Sequence, residues 1–401
     1  MGISYGSGIS QLASAFDSRI KAVVALSTWA DLAESLFGED GNTRHPDAVE
    51  LLKFSADLTS SHEGDEFQQL ITNYYANQNI PYLKEYARNR SSLSFVDKIN
   101  QNKPATFLSN AYMDKIFGPD QLIHYFKNKL TIPHKRLQFS FGDHADAELT
   151  GVFGVPNHVW EDVYDWFDYY LCGIPNGVDT LPQIEFRDIA NSSVIFSYNS
   201  WNETTTTTLS FYPDEAESLK YEDLSEKLIA TIIDDDWPAI ATTELNILVS
   251  IFIHSIFDIL PQIDFSFLPL YKNSAGWRSA PISQSLRVQS IPTLSLKIRS
   301  SSRNGTIVAY LYDIQKDENR GYLISYGASS WINKNETDAF QVDVELGFAS
   351  YSLEEGNQLG LVLTTKDKHF WDINEGGQID ILGGSILKVG VFEEKVQTIK
   401  R

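Results

Sequence analysis

The chain is poor in sulfur and in positive charge. Cys172 is the single cysteine among 401 residues, which excludes an intrachain disulfide and any cysteine-rich zinc site. That usage agrees with a reducing compartment, the cytoplasm being the default expectation. Lysine and arginine number 32 against 53 aspartates and glutamates, for a net charge of −21. Such a balance repels nucleic acid and anionic membrane surfaces, so neither is expected as a partner. There is no apolar run of about 18 residues, the length a membrane-crossing helix needs. The first residues lack the basic region and apolar core of a signal peptide. What remains is an ordinary globular balance, 42% hydrophobic and 21% charged, at a length that suggests two or three domains.

The chain opens Met1-Gly2-Ile3-Ser4-Tyr5-Gly6. Gly2 to Gly6 match G-x-S-x-G, the nucleophile elbow, in which a serine occupies a strained strand-to-helix turn. Glycines two residues away on each side are expected because side chains there would collide. Ile9, Leu12, Ala13 and Phe16 follow at helical spacing, and Ile20–Leu26 reads as a buried strand. The pentapeptide alone is unspecific and equally describes a flexible tail; the helix and strand behind it give it weight. An elbow normally ends a central strand with others laid down before it. Only three residues precede Ser4, so the expectation is a partial domain that starts at its nucleophile, with the earlier strands absent from this chain.

Asp31 to about Lys103 is helical in pattern and lacks β-rich runs. Leu51, Leu52, Phe54 and Leu58 form one apolar stripe; Phe67, Leu70, Ile71, Tyr74 and Tyr75 form another. Inserted after a sheet strand, such a segment would cap a site. Pro104–Asn110 reads as the next strand and Ala111–Phe117 as a loop. Pro119 opens a helix, as suits a residue whose missing N–H has no partner in a first turn. Arg136–Phe141 is a further short strand, followed by Gly142-Asp143-His144. In Pro156–Leu171, residues Val159, Trp160, Val163, Trp166, Phe167 and Tyr170 share one helix face.

Gly173-Ile174-Pro175-Asn176-Gly177 marks a boundary. Beyond it, short β-rich runs alternate with turn clusters: Ser193–Tyr198, Thr207–Phe211, Leu286–Val288, Leu294–Ile298, Thr306–Tyr312, Leu323–Tyr326, Ala339–Val344, Gln358–Thr364 and Ile386–Val391. That spacing suits a β-sandwich or jelly roll. From Glu203 to Asp258 twelve acids stand against two lysines, by default a solvated face. Asp234-Asp235-Asp236 is a weak candidate for a divalent cation, since three adjacent carboxylates do not all point one way. Leu245–Phe257 is apolar but too short to span a bilayer. No cofactor or metal is expected.

Acyl transfer by a serine needs a base to take its proton and an acid to orient the base. In α/β-hydrolases the chain order is serine, acid, histidine. Ser4, Asp114 and His144 follow that order, and the last two lie in loops after predicted strands, where an open α/β sheet builds its site. Each has a plainer reading. Asp114 fits a turn aspartate, Asp120 a helix N-terminal charge, and His144, beside Asp143 and Asp146, a solvated loop histidine. Of the eight histidines, His144 alone follows a short strand with a glycine close before it; His124 and His158 fall within predicted helices.

The segment Ser4–Leu32, with Tyr5 after the serine and Asp17-Ser18-Arg19-Ile20-Lys21-Ala22-Val23-Val24 after the helix, resembles the Xaa-Pro dipeptidyl-peptidase/cocaine esterase family of serine hydrolases. Ser109–Asp114 with Phe117 and Pro119, and Gly142–Ala145, are similar to its acid and histidine segments. Ala280-Pro281-Ile282, Leu294–Ser300 and Ile307–Asp313 resemble its C-terminal jelly roll. The resemblance implies an α/β fold with a helical cap over residues 1–175, the cap at about 31–103, followed by an all-β jelly-roll sandwich over residues 176–401. It implies Ser4 as nucleophile, Asp114 as orienting acid, His144 as base and the Tyr5 backbone N–H as one oxyanion donor, the second donor in the family being a tyrosine well upstream. The partner is then a small-molecule ester or peptide, cleaved through an acyl-enzyme in an X-prolyl dipeptidyl-peptidase-like or esterase-like reaction, with self-association left open. The alternative is a truncated, inactive chain reduced to a carbohydrate-binding or interaction module.

Overall fold

A computed structural model describes residues 1–59, 65–221, 227–234, 260–336, 338–371 and 373–393. Asp235, Asp236 and the apolar run Leu245–Phe257 lie outside the described residues, as do the side chains of Leu52, Phe54 and Leu58. The described chain forms two compact units, the first running from Met1 to Phe186 and taking in Ser197–Trp201.

The first unit is built on parallel strands laid side by side in chain order: β1 (Gly2–Ile3), β2 (Ala22–Leu26), β3 (Ala105–Ala111), β4 (Lys135–Ser140) and β5 (Ile184–Arg187). Parallel strands need crossovers, and these are α1 (Tyr5–Phe16), a helical segment from α2 (Leu32–Phe37) to α6 (Val96–Asn102), α7 (Pro119–Asn128), and the pair α8 (Asp146–Val152) and α9 (His158–Tyr170). β3 is buried along its whole length, as a strand covered on both faces must be. Val24, Leu26, Ala105 and Phe107 of the sheet meet Val159, Val163 and Trp166 of α9 in one core, the face that the spacing in α9 predicts. β5 lies beyond Gly173–Gly177 and pairs with β4, so the strand pairing continues past these glycines.

The periodicity of α1 points the wrong way. Ile9 and Phe16 are 55% and 61% exposed, and the face turned inward is Ser7, Gly8, Gln11, Ser14 and Ala15. The physical reason is close approach. A Cβ on Gly8 would stand 2.1 Å from the Trp29 ring, and Gln11 Nε2 donates to Thr28 Oγ1 at 2.8 Å. Phe16 instead stacks edge-on against Phe95 at 5.0 Å.

Within the segment between β2 and β3, Phe37, Val49, Leu70, Ile71, Tyr74 and Leu83 make a core of their own across α2, α3 (Pro46–Thr59), α4 (Asp65–Tyr75) and α5 (Ile80–Arg88). The end of the segment behaves differently. Asn102 Nδ2 donates to the carbonyls of Ser14 and Ala15, which ties α6 to α1 as a crossover of the sheet. The segment read as a cap at about 31–103 thus ends on a helix held to α1.

The second unit is built on β-strands. Among the described residues thirteen strands, from Thr207–Pro213 to Gly377–Glu393, form it. Thr293–Ser300, Gly305–Ile314 and Gln358–Thr364 are its central elements, and their alternate or complete burial supplies the core. The sequence reading locates most of these strands but makes the last too short. Residues 377–393 run as one strand because successive stretches of it pair with four different antiparallel neighbours. Asp234 closes this unit locally: its Oδ2 accepts from the Gly376 N–H at 2.9 Å.

Candidate active site

The site begins with the two-residue strand β1. Its pairing with β2 aligns Ile3 with Leu26, and the Ser4 N–H donates to the Leu26 carbonyl at 3.0 Å. The chain then reverses into α1 with Ser4 at φ 54°, ψ −125°, a left-handed conformation costly for a side chain with a Cβ. Gly2 makes the turn feasible, since a Cβ there would sit 2.2 Å from the Gly6 carbonyl group. Gly6 does not share that role. A Cβ on it meets nothing within 4 Å, so the steric argument made for both glycines holds for the first alone.

Asp114 follows β3. Its Oδ1 accepts from the backbone N–H groups of Ile116 and Phe117 at 2.9 and 2.8 Å, leaving Oδ2 directed at His144 Nδ1, 2.9 Å away. His144 follows β4, and its Nε2 lies 2.8 Å from Ser4 Oγ. The carboxylate fixes the tautomer: Nδ1–H donates to Asp114, so Nε2 is the acceptor for the serine O–H. The histidine and aspartate side chains are 2% and 0% exposed. The solvated-loop reading of His144 therefore does not apply. Asp120 sits in the first turn of α7, away from these contacts, as the helix-charge reading has it.

The residues around this chain of hydrogen bonds are fixed in turn. Asp143 Oδ1 accepts from the Lys115 and His144 N–H groups, and Lys115 Nζ lies 2.6 Å from Asp143 Oδ2 with both side chains buried. This pair ties the acid loop to the histidine loop. Phe117 stands edge-on to the imidazole at 5.2 Å and packs against Trp29 at 4.7 Å. Ala48 of the cap joins them in one apolar cluster, so the cap reaches the wall of the site. Tyr5 is the first residue of α1, with its ring half exposed beside Trp29.

Electrostatics favour a charged imidazole. Burial by itself pushes the His144 pKa down, but the carboxylate of Asp114, with Asp143 and Glu148 behind it, outweighs burial and raises it above the ordinary value. Glu148 is itself fully buried and pushed up to about 7, chiefly by desolvation. Neither the Lys115–Asp143 pair nor Glu148 emerges from the sequence, where a charge beside a loop reads as solvated. Among the described residues no cluster of histidine, cysteine, aspartate and glutamate is arranged to hold a metal. No helix of those residues is long and apolar enough to cross a membrane.

An open parallel sheet with a serine at a strand-to-helix turn, a histidine and an acid at later strand ends, followed along the chain by a β-sandwich, defines an α/β-hydrolase fold with a C-terminal β domain. Residues 176–399 match the family model for the X-Pro dipeptidyl-peptidase C-terminal non-catalytic domain, and the chain belongs to the Xaa-Pro dipeptidyl-peptidase/cocaine esterase family. Solved structures share the fold over nearly the whole chain. A CocE/NonD family hydrolase from Staphylococcus aureus is similar at TM-score 0.72 and 12% identity, over 98% of this chain and 71% of that one. An α-amino acid ester hydrolase gives 0.69 and 11%, over 98% and 76%. An aminopeptidase from a marine sediment Thaumarchaeota archaeon gives 0.66 and 13%, over 93% and 72%. No curated protein sequence matches the chain.

Proposed function

We propose that this hydrolase-family chain cleaves an ester or amide acyl bond through a covalent acyl-enzyme on Ser4. The observation that carries the reading is the continuous contact Ser4 Oγ–His144 Nε2–Asp114, at 2.8 and 2.9 Å. His144 takes the serine proton as Oγ attacks the acyl carbon, Asp114 stabilises the imidazolium, and the proton passes to the departing alcohol or amine. Water, deprotonated by the same histidine, then releases the acid and restores Ser4. The Tyr5 N–H, at the N-terminus of α1, is assigned as an oxyanion donor. A strained serine at a helix N-terminus supports this, because the developing negative charge meets both an N–H and the helix dipole.

The substrate class follows from the family and is proposed as an X-prolyl peptide or a small ester. Comparison of an Ala-Pro p-nitroanilide with p-nitrophenyl acetate separates the two. The reading itself is tested by a fluorophosphonate probe and intact mass. One probe added to wild type and none to Ser4→Ala is expected. A folded protein that takes no label overturns the enzyme reading and leaves a β-sandwich binding module.

A further inference from the structure

The mechanism above uses the Asp114 carboxylate, yet Asp143 and Glu148 are also buried beside the histidine, and only Asp143 is ion-paired to a lysine described above. Glu148 is 1% exposed. Its Oε2 accepts from Ser27 Oγ at 3.1 Å, and Oε1 lies 3.5 Å from Ser109 Oγ. Ser27 Oγ in turn accepts from the Ala145 N–H at 3.0 Å. Ser27 and Ala145 are both non-glycine residues with positive φ, 42° and 64°. Two costly conformations are thus joined by one relay, Glu148–Ser27–Ala145, and neither is held by chance. Ser27 follows Leu26, whose carbonyl accepts the Ser4 N–H, and Ala145 follows His144. The relay therefore spans the nucleophile's anchor and the base's loop.

We propose that Glu148 is a positioning residue for the histidine base: through Ser27 it fixes the turn that follows His144, and it adds its carboxyl group to those of Asp114 and Asp143 around the imidazole. The inference rests on the reading of His144 as that base. A hydroxyl that donates to a carboxylate has its lone pairs turned elsewhere, here toward the Ala145 N–H. An amide at 148 that turned its NH2 toward Ser27 would make the Ser27 oxygen an acceptor there in place of the Ala145 N–H and let the loop drift, and a drift of about 1 Å at a reacting group costs on the order of a hundredfold in rate. The titratable groups acting on Glu148 are His144 and Asp114. Ser27, just after β2, and Ser109 of β3 bring neutral hydroxyls to it, and α9 contributes the Trp160 indole, which donates to the Glu148 carbonyl. The charged groups facing His144 are Asp114, Asp143 and Glu148.

The test compares wild type with Glu148→Gln, which keeps the shape and an acceptor oxygen but not the charge. The His144 imidazole is titrated by NMR in protein carrying isotopically labelled histidine, assigned by comparison with His144→Gln. The expected result is a His144 titration moved to lower pH in Glu148→Gln and largely restored in Glu148→Asp, with fluorophosphonate labelling of Ser4 slowed at least about tenfold in Glu148→Gln. A folded Glu148→Gln protein with an unchanged His144 titration overturns the proposal, because a merely structural residue would leave it in place. The NMR readout needs no turnover. A wild type that takes no label would defeat the hydrolase reading while the titration still decides the role of Glu148. Should Glu148→Gln fail to fold, Ser27→Ala serves instead: the Ala145 amide is expected to exchange with solvent at least about tenfold faster, and unchanged exchange refutes the relay.

Discussion

Asp114→Asn is the substitution for which the geometry makes the sharpest demand. The carboxylate uses its two oxygens for different tasks. Oδ1 accepts two backbone N–H groups, from Ile116 and Phe117, and Oδ2 accepts from His144 Nδ1. Asparagine has one acceptor oxygen. If that oxygen stays with the two N–H groups, the amide NH2 faces Nδ1 and forces the proton onto Nε2, leaving no acceptor for the serine O–H. Two backbone bonds outweigh one, so this orientation is expected. The loss is a tautomer rather than a fold. On the scale known for such a change it amounts to about 10⁴ in rate, or roughly 5.5 kcal/mol of barrier. Stability should fall far less, by about 1.5–3 kcal/mol for one charge-assisted hydrogen bond. The assay is the second-order rate of fluorophosphonate labelling beside a thermal melt. Labelling of a folded Asp114→Asn protein at the wild-type rate would show that the Asp114–His144 contact does not control the base, and the triad assignment would fall with it. Asp114→Ala supplies the contrast, since it also strands the two N–H groups and should cost about 1–3 kcal/mol more in stability.

Other consequences are equally direct. Labelling of Ser4 should fall as pH drops through the raised His144 pKa, because the protonated imidazole accepts no proton; the midpoint is expected above the ordinary histidine value, and one below it contradicts the electrostatics. Glu148 binds its proton more tightly folded than unfolded, so its contribution to stability is complete below about 4.5 and is lost as pH rises toward about 7; denaturant unfolding of wild type and Glu148→Gln across that window measures the difference. Gly8→Ala drives a Cβ into the Trp29 ring and should cost about 1–3 kcal/mol, whereas Gly6→Ala, unobstructed, should be neutral or stabilising by about 0.4–1 kcal/mol; equal urea midpoints for the two would refute the packing argument. Lys115→Met leaves the Asp143 carboxylate buried without its ion-pair partner and should destabilise by about 3–5 kcal/mol, read from the same unfolding curves.

Local chemistry carried much of this protein in its sequence. G-x-S-x-G is legible because a serine held at positive φ needs Gly2, a requirement of five consecutive residues. The order of Ser4, Asp114 and His144 and their positions after strands are legible because a parallel sheet puts its loops at one end. The face of α9 and the alternation of the second unit's strands were readable because burial on one side imposes a period. Proximity across the chain was decided by tertiary structure. Which face of α1 turns inward depends on how closely Gly8 approaches Trp29, and a hydrophobicity pattern points to the opposite side. That β5 continues the sheet past the glycines depends on its pairing with β4. Asp143, Lys115 and Glu148 look like surface charges in a sequence of net charge −21, because burial is a property of what packs around a residue. Only the folded chain brings Ser27 of one strand end, Ala145 of another and Glu148 of a helix into a single line behind the histidine.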